Sequence, residues 1–313
     1  MQRLTESAWN NRLKLGVNCN GKHFNGQENE GVLGVMRKIL LGLFAAFCFS
    51  PLVAIAGDNY PVPDEVKQKH TQMLYPTVLV RSGQDSGSGT IIFSNKRDDK
   101  WVSLVLTNHH VIESGIKVEE EWDSRSQKKV ERETRQLVHI DLWEYNNYSN
   151  AIGTMGRQAK IVAWDKDRDL ALLQVVDAER PLPYVAKLYP EKKDLGPWIY
   201  QQVFAVGAGL GKPPFPTEGL LAGFSRDSNG RAIWMGTAPI IFGNSGGSLF
   251  VYSPRNKYEL IGVPSMVSAF GWGTPVTHMG WARPISEIRI FLRENNFGYV
   301  LGDVEKKKEK DKP

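Results

Sequence analysis

Residues 242–250 read FGNSGGSLF and place Ser245 between glycines at the start of an apolar run. Glycine adopts backbone conformations that other residues avoid, so we expect the chain to turn sharply here. In such a turn the amides of Gly243 and Ser245 converge on one point, and Gly246 and Gly247 leave room for a ligand beside the serine. A turn of this kind suits acyl transfer, which needs a nucleophile and hydrogen-bond donors for the developing oxyanion.

Two earlier segments supply the other groups that a serine nucleophile requires. LVLTNHHVI (104–112) is an apolar run that ends in two histidines, and WDKDRDLALLQV (164–175) places Asp169 directly before an apolar run. Asp165 and Asp167 lie in the charged turn before it, so Asp169 is the acid that we expect to be held rigid and partly buried. The order His, Asp, Ser is one in which the Ser-His-Asp triad is found.

Two adjacent histidines compete for the role of the base. On an extended strand neighbouring side chains point to opposite faces, so only one of His109 and His110 can face Ser245. The remaining histidines have no motif around them, and we expect structural or surface roles for His23, His70, His139 and His278.

The rest of the chain consists mainly of short β-rich runs separated by turn residues. Many short strands at this spacing indicate an all-β sandwich or barrel rather than a βαβ protein. One helix is predicted over 285–295, where Ile285, Ile288 and Leu292 recur at helical spacing. Strands are predicted at 75–81, 89–93, 101–107, 137–145, 159–164, 170–176, 200–207, 232–237, 248–252 and 258–267.

Three motifs occur in order: Thr107-Asn108-His109-His110-Val111, Asp169-Leu170-Ala171-Leu172 and Gly243-Asn244-Ser245-Gly246-Gly247. Further landmarks are Gly87-Ser88-Gly89-Thr90, Ala205-Val206-Gly207, Glu259-Leu260-Ile261-Gly262 and Gly280-Trp281-Ala282-Arg283-Pro284. Over about residues 75–295 the chain resembles the trypsin-like (chymotrypsin-fold) serine peptidases, most closely the bacterial HtrA/Deg-like branch. That family places the base directly before the valine, which selects His110.

The resemblance implies an all-β fold of two packed antiparallel six-stranded β-barrels, chymotrypsin-like, with a short C-terminal helix. The barrels are expected at about 75–180 and 197–284, with the active site in the cleft between them. The implied triad is His110, Asp169 and Ser245, and the implied oxyanion hole is Gly243, Asn244 and Ser245. The expected activity is that of an exported serine endopeptidase, which hydrolyses peptide bonds through an acyl-enzyme.

Substrate preference is indicated by the stretch before the serine, which resembles the floor of the first specificity pocket. We expect Pro239, Ile240, Ile241 and Ser265 to line this pocket. The stretch has no acid, so an apolar preference is predicted rather than the Lys/Arg preference of trypsin. Asn244 is uncharged where trypsin has an aspartate, which excludes activation by an ion pair with a new N-terminal amine.

Composition excludes several classes of function. The chain has 313 residues, 41% of them hydrophobic, and a formal net charge of +5. The positive charge lies at the two ends and leaves residues 57–304 with no net charge, which argues against a nucleic-acid partner. Both cysteines, Cys19 and Cys48, precede residue 57, so a cysteine metal site or internal disulfide is not expected beyond it. The predicted chemistry requires no metal and no cofactor.

The chain begins with segments that we do not expect to belong to the peptidase domain. Residues 1–35 are predicted to be a non-native or disordered extension. Residues 36–56 have a basic start, an apolar run and an Ala-x-Ala site, which predicts a signal peptide and a periplasmic or secreted protein. A membrane partner follows only if this segment stays uncleaved. We expect a lead-in segment at 57–74, the peptidase domain at 75–297 and a charged disordered tail at 298–313. A PDZ domain like that of HtrA proteins is not expected, because the 17 residues beyond Asn296 are too few to form one.

Other interpretations remain open. A non-catalytic binding module on the same fold would take protein ligands, and an α/β esterase would also carry Gly-x-Ser-x-Gly, although its histidine follows the serine. The expected partners are protein or peptide substrates, and the sequence leaves the oligomeric state undetermined. Residues 117–136 are densely charged and predict an exposed loop or hairpin. GAGLGK (207–212) imitates a phosphate loop, but the prolines after it favour a glycine turn.

Overall fold

The computed structural model describes residues 61–125, 127–191 and 197–303. The predicted extension at 1–35, the signal peptide at 36–56 and the end of the charged tail lie outside these residues. The fold described below is therefore that of the lead-in segment and the peptidase domain.

The first half of the described chain forms eight strands, six of which close into a barrel. They are β1 (Thr77–Ser82), β2 (Asp85–Arg97), β3 (Lys100–Thr107), β4 (Ile116–Asp123), β5 (Lys128–Arg135), β6 (Val138–Asn146), β7 (Asn150–Asp165) and β8 (Leu170–Val175). The antiparallel barrel closes in the order β1-β2-β3-β8-β7-β6. Alternate side chains such as Val78 and Val80 point inward and are fully buried.

The second half forms a second ring of six antiparallel strands, with one short strand at its edge. The strands are β9 (Lys187–Leu188), β10 (Gln202–Gly207), β11 (Phe215–Arg226), β12 (Ala232–Gly236), β13 (Ser248–Ser253), β14 (Lys257–Phe270) and β15 (Thr274–Pro284). The sheet order is β13-β10-β11-β12-β15-β14-β9, and a β13–β14 pairing closes the ring. The two predicted six-stranded barrels are confirmed, with β9 as an addition that pairs parallel to β14.

One apolar cluster joins the two barrels. Leu104 and Leu172 of the first barrel pack in the same buried cluster as Phe250 and Leu260 of the second. A hydrogen bond at 2.5 Å between the hydroxyls of Thr90 and Ser248 also crosses the interface. Because residues of both barrels are buried in one cluster, the cluster fixes how the barrels meet and therefore the shape of the cleft between them.

Helices lie at the borders of the barrels. Helix α1 (Asp64–Lys69) continues into a wider turn at His70–Leu74, α2 is the single turn His109–Ile112, and α3 (Ile285–Glu294) closes the domain. The predicted helix at 285–295 is confirmed, with Ile285, Ile288 and Leu292 buried. The turn Gly298–Leu301 then places Tyr299 against Phe93, so the ordered domain extends beyond the predicted boundary at 297.

Local structure differs from the sequence prediction at β11 and at the two histidines, and β15 was also not among the predicted strands. Strand β11 was not predicted, because Pro213, Pro214 and Pro216 disfavour regular strand pairing; it pairs with β10 all the same. The histidines at 109 and 110 lie in a helical turn and not on an extended strand, so the alternation used to separate them was wrong. Helical residues are about 100° apart around the axis, and the two rings still diverge.

Two predictions for surface segments are confirmed. β4 and β5 form a separate hairpin in which nearly every residue is exposed, as expected for 117–136. The turn Gly209–Gly211 directly follows β10, as expected for the glycine-rich 207–212. Neither segment opens a helix, so the resemblance of 207–212 to a phosphate loop is incidental.

Candidate active site

Asp169 lies in the tight turn between β7 and β8, where its backbone has φ +53°. Aspartate tolerates this left-handed conformation better than most residues. The turn places Asp169 directly before β8, where it is only 2% exposed. Asn108 Nδ2 donates to the Asp169 carbonyl at 2.6 Å, which ties this turn to the end of β3.

His110 contacts Asp169 through both its backbone and its ring. The His110 backbone N–H donates to Asp169 Oδ1 at 3.0 Å, and His110 Nδ1 lies 2.9 Å from Oδ2 and 3.0 Å from Oδ1. A carboxylate that accepts from Nδ1 leaves Nε2 as the nitrogen that can take a proton from elsewhere. The structure thus brings together two of the three predicted triad residues.

Ser265 supplies a further donor that the sequence analysis assigned elsewhere. Its Oγ donates to Asp169 Oδ2, so the hydroxyl predicted to line the specificity pocket is engaged with the acid. Burial raises the pKa of Asp169, but the hydrogen bonds from His110 and Ser265 outweigh burial and hold that pKa below its ordinary value. The Asp169 side chain is therefore an ionised, buried carboxylate.

His109 is buried against another ring, so it does not compete with His110 for the role of the base. It is 2% exposed, and its ring lies 5.0 Å from that of Trp164, at a tilt of 41°. The ring of His109 is therefore packed against Trp164. His110, with a side chain 15% exposed, is the histidine that reaches the cleft.

The Ser245 turn is anchored to the first barrel through Ser88. The Ser88 N–H donates to the Ser245 carbonyl at 2.7 Å, and Ser88 Oγ donates to the Gly243 carbonyl at 2.6 Å. On the other side, the Gly246 N–H donates to the Pro264 carbonyl at 3.1 Å. A Cβ on Gly246 would overlap the Ser88 carbonyl oxygen and Thr107 Oγ1, so only glycine fits. This close approach sets the serine beside the segment that carries the base.

The hydroxyl of Ser245 makes no hydrogen bond to any residue in the part of the chain that the structure describes. The contact between nucleophile and base is therefore not formed in this structure. In ligand-free enzymes such contacts are often long and tighten only when substrate binds.

The backbone around Gly243 is held so that its amide is available. The Leu210 N–H donates to the Phe242 carbonyl at 2.8 Å. Because a trans peptide is planar, the Gly243 N–H points away from Leu210. Within residues 197–303 and the other described ranges, the amides of Gly243 and Ser245 donate to no protein acceptor. Among the three residues predicted for the oxyanion hole, Asn244 differs, since its N–H donates to the Ile241 carbonyl at 3.0 Å.

The segment predicted to line the specificity pocket is apolar at Pro239, Ile240 and Ile241. Ile240 is buried, and its N–H donates to the Thr277 carbonyl at 2.9 Å, which ties the pocket floor to β15. A Cβ on Gly280 would lie 2.7 Å from Ile240 Cδ1, so the isoleucine packs directly on that glycine. Pro239 is exposed and Ile241 is half-buried. None of these positions brings a charge to the floor.

A charged network next to Asp169 was not predicted. Arg168 bonds Asp165 at 2.5 Å, Glu287 at 3.2 Å and Glu294 at 2.9 Å, and its side chain is 15% exposed. Asp165 was predicted as part of a charged turn, but the pairing of Arg168 with Glu287 and Glu294 of α3 depends on tertiary packing. The network fastens the turn that presents Asp169 to the C-terminal helix.

Two classes of site are absent from the described residues. Among them, no group of three or more His, Cys, Asp or Glu is arranged to hold a metal ion. No helix within the same ranges has the length and apolar character needed to cross a membrane.

Comparison with known proteins identifies the family of the domain. The family model of the trypsin-like peptidase domain matches residues 87–263, which is more than half of the chain and includes all three predicted triad residues. A search of the curated proteins finds no match.

Two of the solved structures that are similar to the chain are proteases. One is a variant of the HtrA-type protease AlgW with a tripeptide, at 18% identity and a TM-score of 0.51, covering 74% of this chain and 63% of that one. The other is the serine endoprotease from Yersinia pestis, at 20% identity and a TM-score of 0.48, covering 77% and 68%. The chain spans less than two thirds of the AlgW protein, and at this identity the likeness concerns the fold. By its match to the family model, the chain belongs to the trypsin-like peptidase domain family.

Proposed function

We propose that the chain is an exported serine endopeptidase whose triad is His110, Asp169 and Ser245. The observation that carries the proposal is the contact of His110 Nδ1 with the buried, ionised Asp169, beside a serine turn with two unpaired amides. A carboxylate in this position fixes the ring tautomer and stabilises the imidazolium that forms during catalysis.

The proposed reaction is an acyl transfer in two halves. Ser245 Oγ attacks the scissile carbonyl carbon while His110 Nε2 takes the hydroxyl proton. The C–N bond then breaks, and the same proton passes to the leaving amine. Water attacks the acyl-enzyme, gives its proton to His110 and releases the carboxylic acid, and the proton returns to Ser245. The amides of Gly243 and Ser245 stabilise the oxyanion in both halves.

The proposed substrate is an extended polypeptide that lies along β14. Beyond Gly262 the edge of β14 opposite β15 has no strand partner among the described residues. An extended peptide can add to such an edge by backbone hydrogen bonds. Its side chain before the scissile bond would enter the apolar pocket at Ile240. We propose an apolar residue at that position, and export as the route by which the enzyme reaches its substrates.

The test is hydrolysis of an unfolded polypeptide by the full-length protein and its variants. Ser245→Ala and His110→Ala should each lower kcat/KM by at least about 10³-fold. The matched controls Ser228→Ala and His139→Ala alter an exposed serine and a histidine outside the site, and should leave the rate unchanged. Undiminished hydrolysis by Ser245→Ala would contradict the proposal, as would a wild-type protein that cleaves no polypeptide.

A further inference from the structure

The hairpin of β14 and β15 ends in two of the most exposed aromatic side chains in the described chain. Phe270 is 79% exposed and Trp272 is fully exposed. Gly271 and Gly273 have φ values of +55° and +98°, which glycine adopts at little cost. The turn is therefore built by the glycines, and the tryptophan between them packs on nothing.

An apolar stripe runs from the active site to this tip. Met266 pairs with Trp281, whose Nε1 donates to Ser268 Oγ at 2.8 Å, so these three side chains lie on one side of the hairpin. The pairing of β14 with β15 shifts register between Val267 and Ser268, and Phe270 follows Ser268 by two residues toward the tip. The stripe is half-buried at Met266 and Trp281 and fully exposed at Trp272.

The lack of charge on this hairpin contrasts with the hairpin of β4 and β5. Residues 263–282 contain no Lys, Arg, Asp or Glu, although one edge of β14 is open there. The β4–β5 hairpin also has free edges, and charged side chains cover them. Charged residues on open edges prevent unwanted pairing, so an open edge without them indicates a surface that binds.

The direction of a bound peptide follows from the geometry of the edge. The open stretch of β14 begins beside the catalytic residues, where Ser265 contacts Asp169 and the Gly246 N–H donates to the Pro264 carbonyl. A peptide antiparallel to β14 therefore runs from the tip toward Ser245, so its N-terminal part lies at the tip. Phe270 is five residues beyond Ser265, about 17 Å at the rise of a strand. The tip thus meets substrate side chains about four to six residues before the scissile bond.

We infer that Phe270 and Trp272 form a second recognition element, which selects extended polypeptides with apolar side chains four to six residues before the cleaved bond. This inference rests on the proposed function, because it assigns a substrate class to the same site. Alternate apolar side chains of the peptide lie on the stripe, and the tip covers the outermost of them.

The inference is tested with three peptides that share the residues around the scissile bond. One has leucines five and six residues before the bond, one has serines there, and one ends before these positions. Phe270→Ser with Trp272→Ser should lower kcat/KM about tenfold for the leucine peptide and leave the other two unchanged. Trp198→Ser removes a tryptophan that is 58% exposed elsewhere and should change none of the three values. An equal loss on all three peptides, or no loss on any, would overturn the inference.

A binding arm separates this inference from the proposed function. In a Ser245→Ala background, fluorescence anisotropy measures the affinity for the leucine peptide without any turnover. Affinity about tenfold weaker in the Phe270→Ser, Trp272→Ser protein supports the inference even if the wild type hydrolyses nothing. Binding to phosphatidylcholine vesicles, or dimerisation in sedimentation velocity, that depends on Trp272 with peptide affinity unchanged would assign the tip to a membrane or to a second copy and overturn it.

Discussion

Substitution Ser265→Ala removes one donor from a buried carboxylate. Ser265 is 6% exposed and Asp169 is 2% exposed, so water does not easily replace the lost hydroxyl. The donors left are the His110 backbone N–H at 3.0 Å and Nδ1 at 2.9 Å. A hydrogen bond to a charged group is worth about 1.5–3 kcal/mol, and we expect this loss in the free energy of unfolding at pH 7.

The dependence on pH distinguishes this effect from lost packing. The pKa of Asp169 is lowered in the folded protein, so its contribution to stability is present above the pKa of the unfolded chain and is lost as pH falls through the folded pKa. Without Ser265 the pKa is lowered less. The difference in stability between wild type and variant should therefore be largest at neutral pH and shrink as Asp169 is protonated.

Urea unfolding at pH 7 and at a series of acidic pH values measures this difference. The matched control is Ser103→Ala, which is fully buried and bonds a neutral hydroxyl, Ser94 Oγ, at 2.8 Å. It should cost about 1 kcal/mol at every pH. A loss for Ser265→Ala that is constant with pH, or that grows as pH falls, would refute the account of the ionised acid.

Three further predictions concern the backbone and the support of the site. In Gly246→Ala the new methyl group would overlap the Ser88 carbonyl, so the free energy of unfolding should fall by about 3 kcal/mol or more in thermal or urea unfolding. Gly230 has a similar φ and nothing within 4 Å, so Gly230→Ala should cost about 1 kcal/mol, and equal losses would contradict this. Leu210→Pro loses the N–H that holds the Gly243 amide in place and cannot adopt the φ of +55°, so it should lower kcat about 10²–10³-fold. Leu210→Gly keeps both the donor and the φ and should keep kcat, and a Gly variant as slow as the Pro variant would refute this. Arg168→Met removes the ion-pair partner of the buried Glu287 and the half-buried Asp165, and should lower the free energy of unfolding by about 3 kcal/mol in urea. Glu294→Gln at the exposed end of the network should cost at most about 1 kcal/mol, and comparable losses would show that the network is not coupled.

Local patterns were sufficient to predict most of the fold. Runs such as 170–176 and 248–252 are apolar and bounded by turn residues, so a few adjacent residues are enough to predict each strand. The same holds for α3, whose buried residues recur at helical spacing. β11 escaped prediction because its proline-rich start obscures the pattern, and pairing with β10 is decided by the sheet.

The candidate site was predictable where a motif names the residue and not where a contact joins distant segments. Asp169 was identified from the apolar strand that follows it, and that strand is what holds it in place. The hydrogen bond from Ser265 spans 96 positions in the chain, and no local pattern indicates it. The left-handed conformation at Leu210 was also unexpected, since leucine rarely adopts it. Such features depend on how the barrels pack.

The most direct test of the central claim is the covalent reaction of the full-length protein with a fluorophosphonate, located by peptide mass spectrometry. The proposed triad predicts one phosphonylated residue, Ser245, with labelling abolished in Ser245→Ala and slowed by several orders of magnitude in His110→Ala. Labelling of any other serine at the same rate, or labelling of Ser245 that does not depend on His110, would contradict it.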